Sequence, residues 1–256
     1  QTANFKVGEK LSYSVSFENI KDAAYFETSV ASQGKLGGRD AVELRGRLKT
    51  FELVSAAFRL IDERRDVFVD PASGLPLMIS RTTFDGVLPK ENTESFLTAP
   101  TSNFDLLSAL YAVRYAGGNG SFPIFEDGET SILTAQTTGR GQKLRIELGD
   151  FDTTISAVTG PFLESRGIRE LLINFGIDDD RLPLRIRVKT ARGLFVATLT
   201  AVQNAPPEVR VSSPTPTPAK TPTPVQTPRP QPTPTPYIDD QPLLPELSFA
   251  LGEAVD

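Results

Sequence analysis

Between Lys10 and Phe17 the chain reads KLSYSVSF, with Leu11, Tyr13, Val15 and Phe17 alternating against Lys10, Ser12, Ser14 and Ser16. In an extended strand the two sets project to opposite faces, so the segment predicts a strand with one apolar and one wet face. The same period of two recurs in VELRGRLK, where Val42, Leu44 and Leu48 oppose Glu43, Arg45, Arg47 and Lys49. It recurs again in KLRIEL (Leu144, Ile146, Leu148) and PLRIRVK (Leu184, Ile186, Val188). Parallel sheets buried on both faces give continuous apolar runs, so the alternation predicts antiparallel strands. Turn signals punctuate them: DPASGLP (Asp70 to Pro76) joins DVFV to LPLMISRTTF, and GKLGGRD, FDG, EDGE and DDDRLP mark further breaks. Counted between these, about nine to eleven strands result. A one-sided sheet that long must curl over its apolar face. The expected fold is mainly β, a single strongly curved antiparallel sheet forming an open or half barrel.

One stretch breaks the pattern. NFDLLSALYAVRYAGG, Asn103 to Gly118, has the spacing of a short helix, with Ser102 or Asn103 as cap, Asp105 in the first turn and Gly117 and Gly118 as its stop. Phe104, Leu106, Leu107, Leu110, Tyr111, Val113 and Tyr115 cover more than half its circumference, leaving Asp105, Ser108, Ala109 and Ala112 as a polar or small stripe. A helix this apolar is packed on most sides, and the concave face of the sheet is the available partner.

After Val211 the pattern stops. SSPTPTPAKTPTPVQTPRPQPTPTP has no apolar period, and about half of the 21 prolines lie between Pro214 and Pro236. Proline fixes φ and removes a donor, so residues 212–236 read as an extended linker reaching roughly 70 Å. Residues 237–256 combine Asp239, Asp240, Glu246, Glu253 and Asp256 with Leu243, Leu244, Leu247, Phe249 and Leu251. They read as a disordered end or a docking segment for a protein partner. That leaves a curved β domain over 1–211.

Charge and composition exclude more than they assign. The net charge is −5, but the acidic tail accounts for much of it, and residues 1–211 carry only about −2. No basic footprint exists, so nucleic acid is not an expected partner. No apolar run reaches the roughly 20 residues of a membrane span. The sequence starts at Gln1 without a Met, which fits a cleaved secretion signal, and the lack of Cys fits a bacterial envelope protein that folds without disulfides. Without His or Cys, the commonest general base, thiol nucleophile and transition-metal ligands are missing. DDDR (Asp178 to Arg181) lacks the alternating spacing of a calcium loop and reads as a hairpin turn. GGNG and GRG are too short for a phosphate-cradling fingerprint. No catalytic, cofactor or metal site is expected.

FKVGEKLSYSVSF, DVFVDPASGLPLMISRTTFDG, DLLSALYAVR, FEDG and DDDRLPLRIRVKTARGLFVATL occur in an order that resembles the bacterial family catalogued as domain of unknown function 3108, over roughly Phe5 to Leu199. The resemblance implies an exported envelope protein with a curved sheet, distantly similar to the half-barrels of lipoprotein-localisation factors, whose helices line the concave side. It brings no catalytic residues, and the linker and tail lie outside it.

Arg114 stands inside the apolar arc of the helix. Two readings follow: it pairs with a strand carboxylate near the helix C-terminus, or it faces the cavity and meets an anionic head group. On the second reading Arg114, Tyr111, Leu107 and Tyr13 are the expected ligand contacts. For the whole chain, three functions stay open. The first is a non-enzymatic periplasmic or envelope module binding a lipid or other apolar ligand on the concave face. The second is a scaffold with a filled core and a docking tail, and the third a carboxylate-based hydrolase of envelope polymers.

Overall fold

The computed structural model describes residues 5–51, 62–84 and 88–204. The linker and tail expected over 212–256 lie outside the described residues. So does the FDG turn beyond Phe84.

Twelve antiparallel strands form one sheet: β1 (Glu9–Phe17), β2 (Ile20–Leu36), β3 (Arg39–Thr50), β4 (Asp62–Val69), β5 (Pro76–Phe84), β6 (Pro89–Ser95), β7 (Gly120–Glu126), β8 (Glu129–Ile146), β9 (Gly149–Thr159), β10 (Ile168–Gly176), β11 (Pro183–Thr190) and β12 (Gly193–Asn204). The spatial order is β6-β5-β4-β3-β2-β1-β12-β11-β10-β9-β8-β7. Two six-strand meanders therefore meet where β1 pairs with β12, with Tyr13 opposite Leu199 and Val15 opposite Ala197. The sequence count of nine to eleven stops short because β6, PKENTES, is polar throughout and shows no apolar alternation.

In β1 the alternation holds residue by residue. Leu11, Tyr13, Val15 and Phe17 are buried while Lys10, Ser12, Ser14 and Ser16 are half-exposed. Glu9 shares the apolar parity and is buried with them. In KLRIEL the expectation needs one correction: Leu144 and Ile146 are buried, but Leu148 lies past the end of β8, in the turn to β9, and is exposed. That hairpin leaves it no facing partner. The EDGE turn has Asp127 and Gly128 both at positive φ, as a two-residue hairpin with right-handed strand twist requires.

The edges β6 and β7 are not paired with each other. Even so, Arg81 on β5 donates to Asp127 just past β7 (2.6 Å), and the Phe96 and Phe125 rings meet edge to face at 6.4 Å. Strands near opposite ends of the order come this close only if the sheet curls almost full circle, giving an open barrel with a side-chain seam.

Helix α1 (Leu106–Tyr115) connects the two edges and packs on β3, β4 and β7. Its cap is Asp105, not Ser102 or Asn103. The Asp105 carboxylate accepts from the Leu107 and Ser108 amides, and Ser108 Oγ accepts from the Asp105 amide, a closed capping box. Residues 103 and 102 cannot serve because Phe104 is already tied to β7, its amide donating to the Pro123 carbonyl and its carbonyl accepting from Phe125. Gly118 ends the helix at positive φ, and a Cβ there would lie 2.0 Å from Ser156 Oγ. A second helix, α2 (Pro161–Ser165), was not expected; Pro161 opens it and buries Phe162 and Leu163. Among the described residues no helix is long and apolar enough to cross a membrane.

Candidate functional site

Burial around α1 differs from the sequence expectation in one respect. Ser108 and Ala109, the expected outer stripe, are buried, while Leu106 and Leu110 are only half-buried. The reason is steric. Small side chains let α1 lie close to Phe122 and Ile124 on β7, and Gly46 on β3 leaves room for Leu107. Leu106 and Leu110 are thereby turned toward open space.

That space is a cavity of about 560 Å³ between α1, the first meander and α2. Leu106, Leu107, Leu110, Phe26, Phe162 and Ile168 give it apolar walls. At its polar end stand Glu63, Arg65, Arg81, Glu126, Asp127 and Arg166.

The polar end is an ion lattice. Arg65 on β4 lies directly opposite Arg81 on β5, a like-charge cross-strand pair that is repulsive by itself. Glu126, reaching from β7, neutralises it: its Oε1 accepts from Arg65 Nη2 (2.6 Å) and Arg81 Nη1 (3.2 Å), and its Oε2 from Arg65 Nη1 (2.7 Å). Glu63 accepts from Arg65 (3.0 Å) and Arg81 (2.9 Å), and Asp105 accepts from Arg65 (3.2 Å). Asp127 accepts from Arg81 and from Arg166, whose guanidinium lies over the Phe162 ring at 5.1 Å. Burial would lower the Arg65 pKa, but Glu126, Asp105 and Glu63 outweigh it and raise it, so Arg65 stays charged. For Asp127, partial burial pushes upward, while Arg166 and Arg81 outweigh it and hold the carboxyl below its usual range.

Of the four expected ligand contacts, only Leu107 lines this cavity. Tyr111 and Arg114 follow Leu107 along one buried stripe of α1. The Arg114 guanidinium is committed elsewhere, with Nη1 and Nη2 donating to the two Glu9 oxygens and Nε to the Asp180 carbonyl. The first reading of Arg114, pairing with a strand carboxylate, is the one observed. Tyr13 is fully buried beside Phe26 and borders a separate hollow of about 190 Å³ with Tyr25 and Phe51.

Sequence reasoning passed over the ion lattice, although a signal existed. Glu63 and Arg65 share the parity of Val67 and Val69, Arg81 that of Ile79, and Glu126 that of Phe122 and Ile124. A charge on the apolar parity of a strand points inward and needs a partner.

The model of the family described as "Protein of unknown function (DUF3108)" matches residues 12–200. The chain belongs to the DUF3108 family. The match starts inside β1 and ends inside β12, so this DUF3108 domain takes in both meanders, α1 and every member of the ion lattice. Among solved structures, the DUF3108 chain is similar to a beta-barrel-like protein of domain of unknown function DUF1849 from Brucella abortus, at 9% identity and a TM-score of 0.45, over 78% of this chain and 99% of that chain. No curated protein matches it.

Proposed function

We propose that this DUF3108 protein is a non-enzymatic module of the bacterial cell envelope that holds the apolar part of a lipid-like ligand between α1 and the sheet. The observation that carries the reading is the 560 Å³ cavity with half-exposed Leu106 and Leu110 on its wall. Its size lies within the range of small-molecule sites, about 300–1,000 Å³. Apolar area on those leucines leaves water when a chain enters, worth about 25 cal/mol per Å². A scaffold with a filled core would need no such space.

Binding is favoured over hydrolysis by the state of the carboxylates. Glu63, Glu126 and Asp127 are each held by two arginines. All three are thus committed to guanidinium N–H groups, and the two arginines hold the Asp127 carboxyl below its usual range, which makes it a poor proton acceptor. Placement in the envelope rests on the family resemblance and the lack of cysteine, and fractionation of the source cells tests it.

Native mass spectrometry of the purified protein tests the binding reading. Copurified adducts should be removed by lipid extraction and restored by adding fatty acid or phospholipid. A stripped protein that takes up neither fatty acid, phospholipid nor lipopeptide ends the proposal.

A further inference from the structure

The polar end of the cavity holds unequal numbers of free donors and free acceptors. All six carboxylate oxygens of Glu63, Glu126 and Asp127 already receive an arginine N–H. The donors are not used up. Arg81 Nε is buried and has no hydrogen-bond partner among the described residues. Arg166 is about half exposed at the mouth and gives one Nη to Asp127. Arg81 Nε is closed to the cavity as well as to solvent, so the donors open to a ligand are the remaining N–H groups of Arg166.

We infer that the ligand of this cavity carries an anionic head group, a carboxylate or a phosphate, received by Arg166, with its chain against Leu106 and Leu110. The inference rests on the apolar-ligand reading above and names the chemistry of the ligand's polar end. Among the lining side chains Arg47, Arg65, Arg81 and Arg166 exceed Glu63, Glu126 and Asp127 by one charge, and the Asp105 charge sits at the positive end of the α1 dipole. The wall therefore carries no excess of negative charge against an anion. An ammonium head brings donors to carboxylate oxygens that already accept from arginines, and it meets the Arg166 guanidinium as a like charge. A hydroxyl head gains one neutral hydrogen bond, whereas an anion gains charge-assisted bonds about twice as strong. Arg81 and Arg166 both donate to Asp127, which holds the Arg166 guanidinium at the mouth. Arg166 is also fixed over Phe162, at the junction of the charged end and the apolar wall.

The full-length protein, stripped of lipid, is titrated calorimetrically with dodecanoate, dodecyl phosphate, dodecanol and dodecylamine. At least one of the two anions should bind about tenfold or more tightly than dodecanol, with dodecylamine weakest. The tighter anion identifies the head as carboxylate or phosphate. Arg166→Gln, at a half-exposed position, should keep the circular dichroism spectrum but lose most of the preference for an anion over dodecanol. Equal binding of all four probes, or a preference for the amine, overturns the head-group inference and leaves the apolar cavity standing. An anion preference unchanged in Arg166→Gln overturns the assignment of this residue. If none of the four binds, the apolar-ligand reading falls with it.

Discussion

Arg114 and Glu9 form a two-pronged ion pair, Nη1 to Oε1 at 2.6 Å and Nη2 to Oε2 at 2.8 Å, that ties the last turn of α1 to the first residue of β1. Each side chain is only 2% exposed. Burial would lower the Arg114 pKa, but Glu9 outweighs it and raises it. Tyr115 and Tyr111 flank the guanidinium at 5.5 and 6.0 Å.

Arg114→Ala strands a buried carboxylate and should cost about 3–5 kcal/mol. The double change Arg114→Met with Glu9→Leu removes both charges and should recover much of that loss. Denaturant midpoints of the two variants decide the point. If the single change is mild, Glu9 finds water that the fold does not provide.

Glu126→Gln removes the charge that separates Arg65 from Arg81. A hydrogen bond to a charged group contributes about 1.5–3 kcal/mol, and like-charge repulsion adds to the loss, so about 2 kcal/mol or more of stability should disappear. Chemical denaturation measures it, and a neutral outcome would mean that Glu63, Asp105 and Asp127 suffice to screen the two arginines.

Val113→Asp and Leu110→Asp should behave differently although both lie on α1. Val113 is 3% exposed within the cluster of Phe122, Ile124 and Phe175, so a carboxylate there should unfold the domain. Leu110 faces the cavity, so its replacement should leave a folded protein that no longer takes up an acyl chain. Circular dichroism and the native mass measurement together separate these results.

Alkali should unfold the protein through its tyrosines. Burial pushes the Tyr13 and Tyr111 hydroxyls well up and the Tyr115 hydroxyl up to about 12, from the ordinary 10.0. Folding thus favours the neutral phenol. That contribution is complete below about pH 10 and is lost as pH rises from there through about 12. Tyrosinate absorbance from these residues should appear only together with loss of the circular dichroism signal. Ionisation near pH 10 in a protein still folded would contradict their burial.

The β architecture was legible wherever one face of a strand is dry, because alternation in β1 reports burial directly. β6 was not, since an edge strand with polar residues on both faces carries no such signal. The α1 cap was misplaced for a similar reason. Ser102, Asn103 and Asp105 are about equal as local caps, but Phe104 is held by β7 and sets the helix start at Asp105. Of the four residues expected at the site only Leu107 lies on the cavity wall, and the ion lattice was not read. Its members lie far apart in the chain, and only a sheet that curls round brings Arg81 and Asp127 together. Arg114 was conspicuous because a lone charge in an apolar helix is easy to see. Glu9 was not, because it precedes the alternating run.

The unzipped margin between β6 and β7 has a consequence for engineering. Where most barrels fix their girth by a continuous ladder of main-chain bonds, this one sets it by the reach of Arg65, Arg81 and Glu126. Shortening or lengthening one of those arms re-sizes the interior without rethreading a strand, so the width of the barrel is open to change through side chains alone.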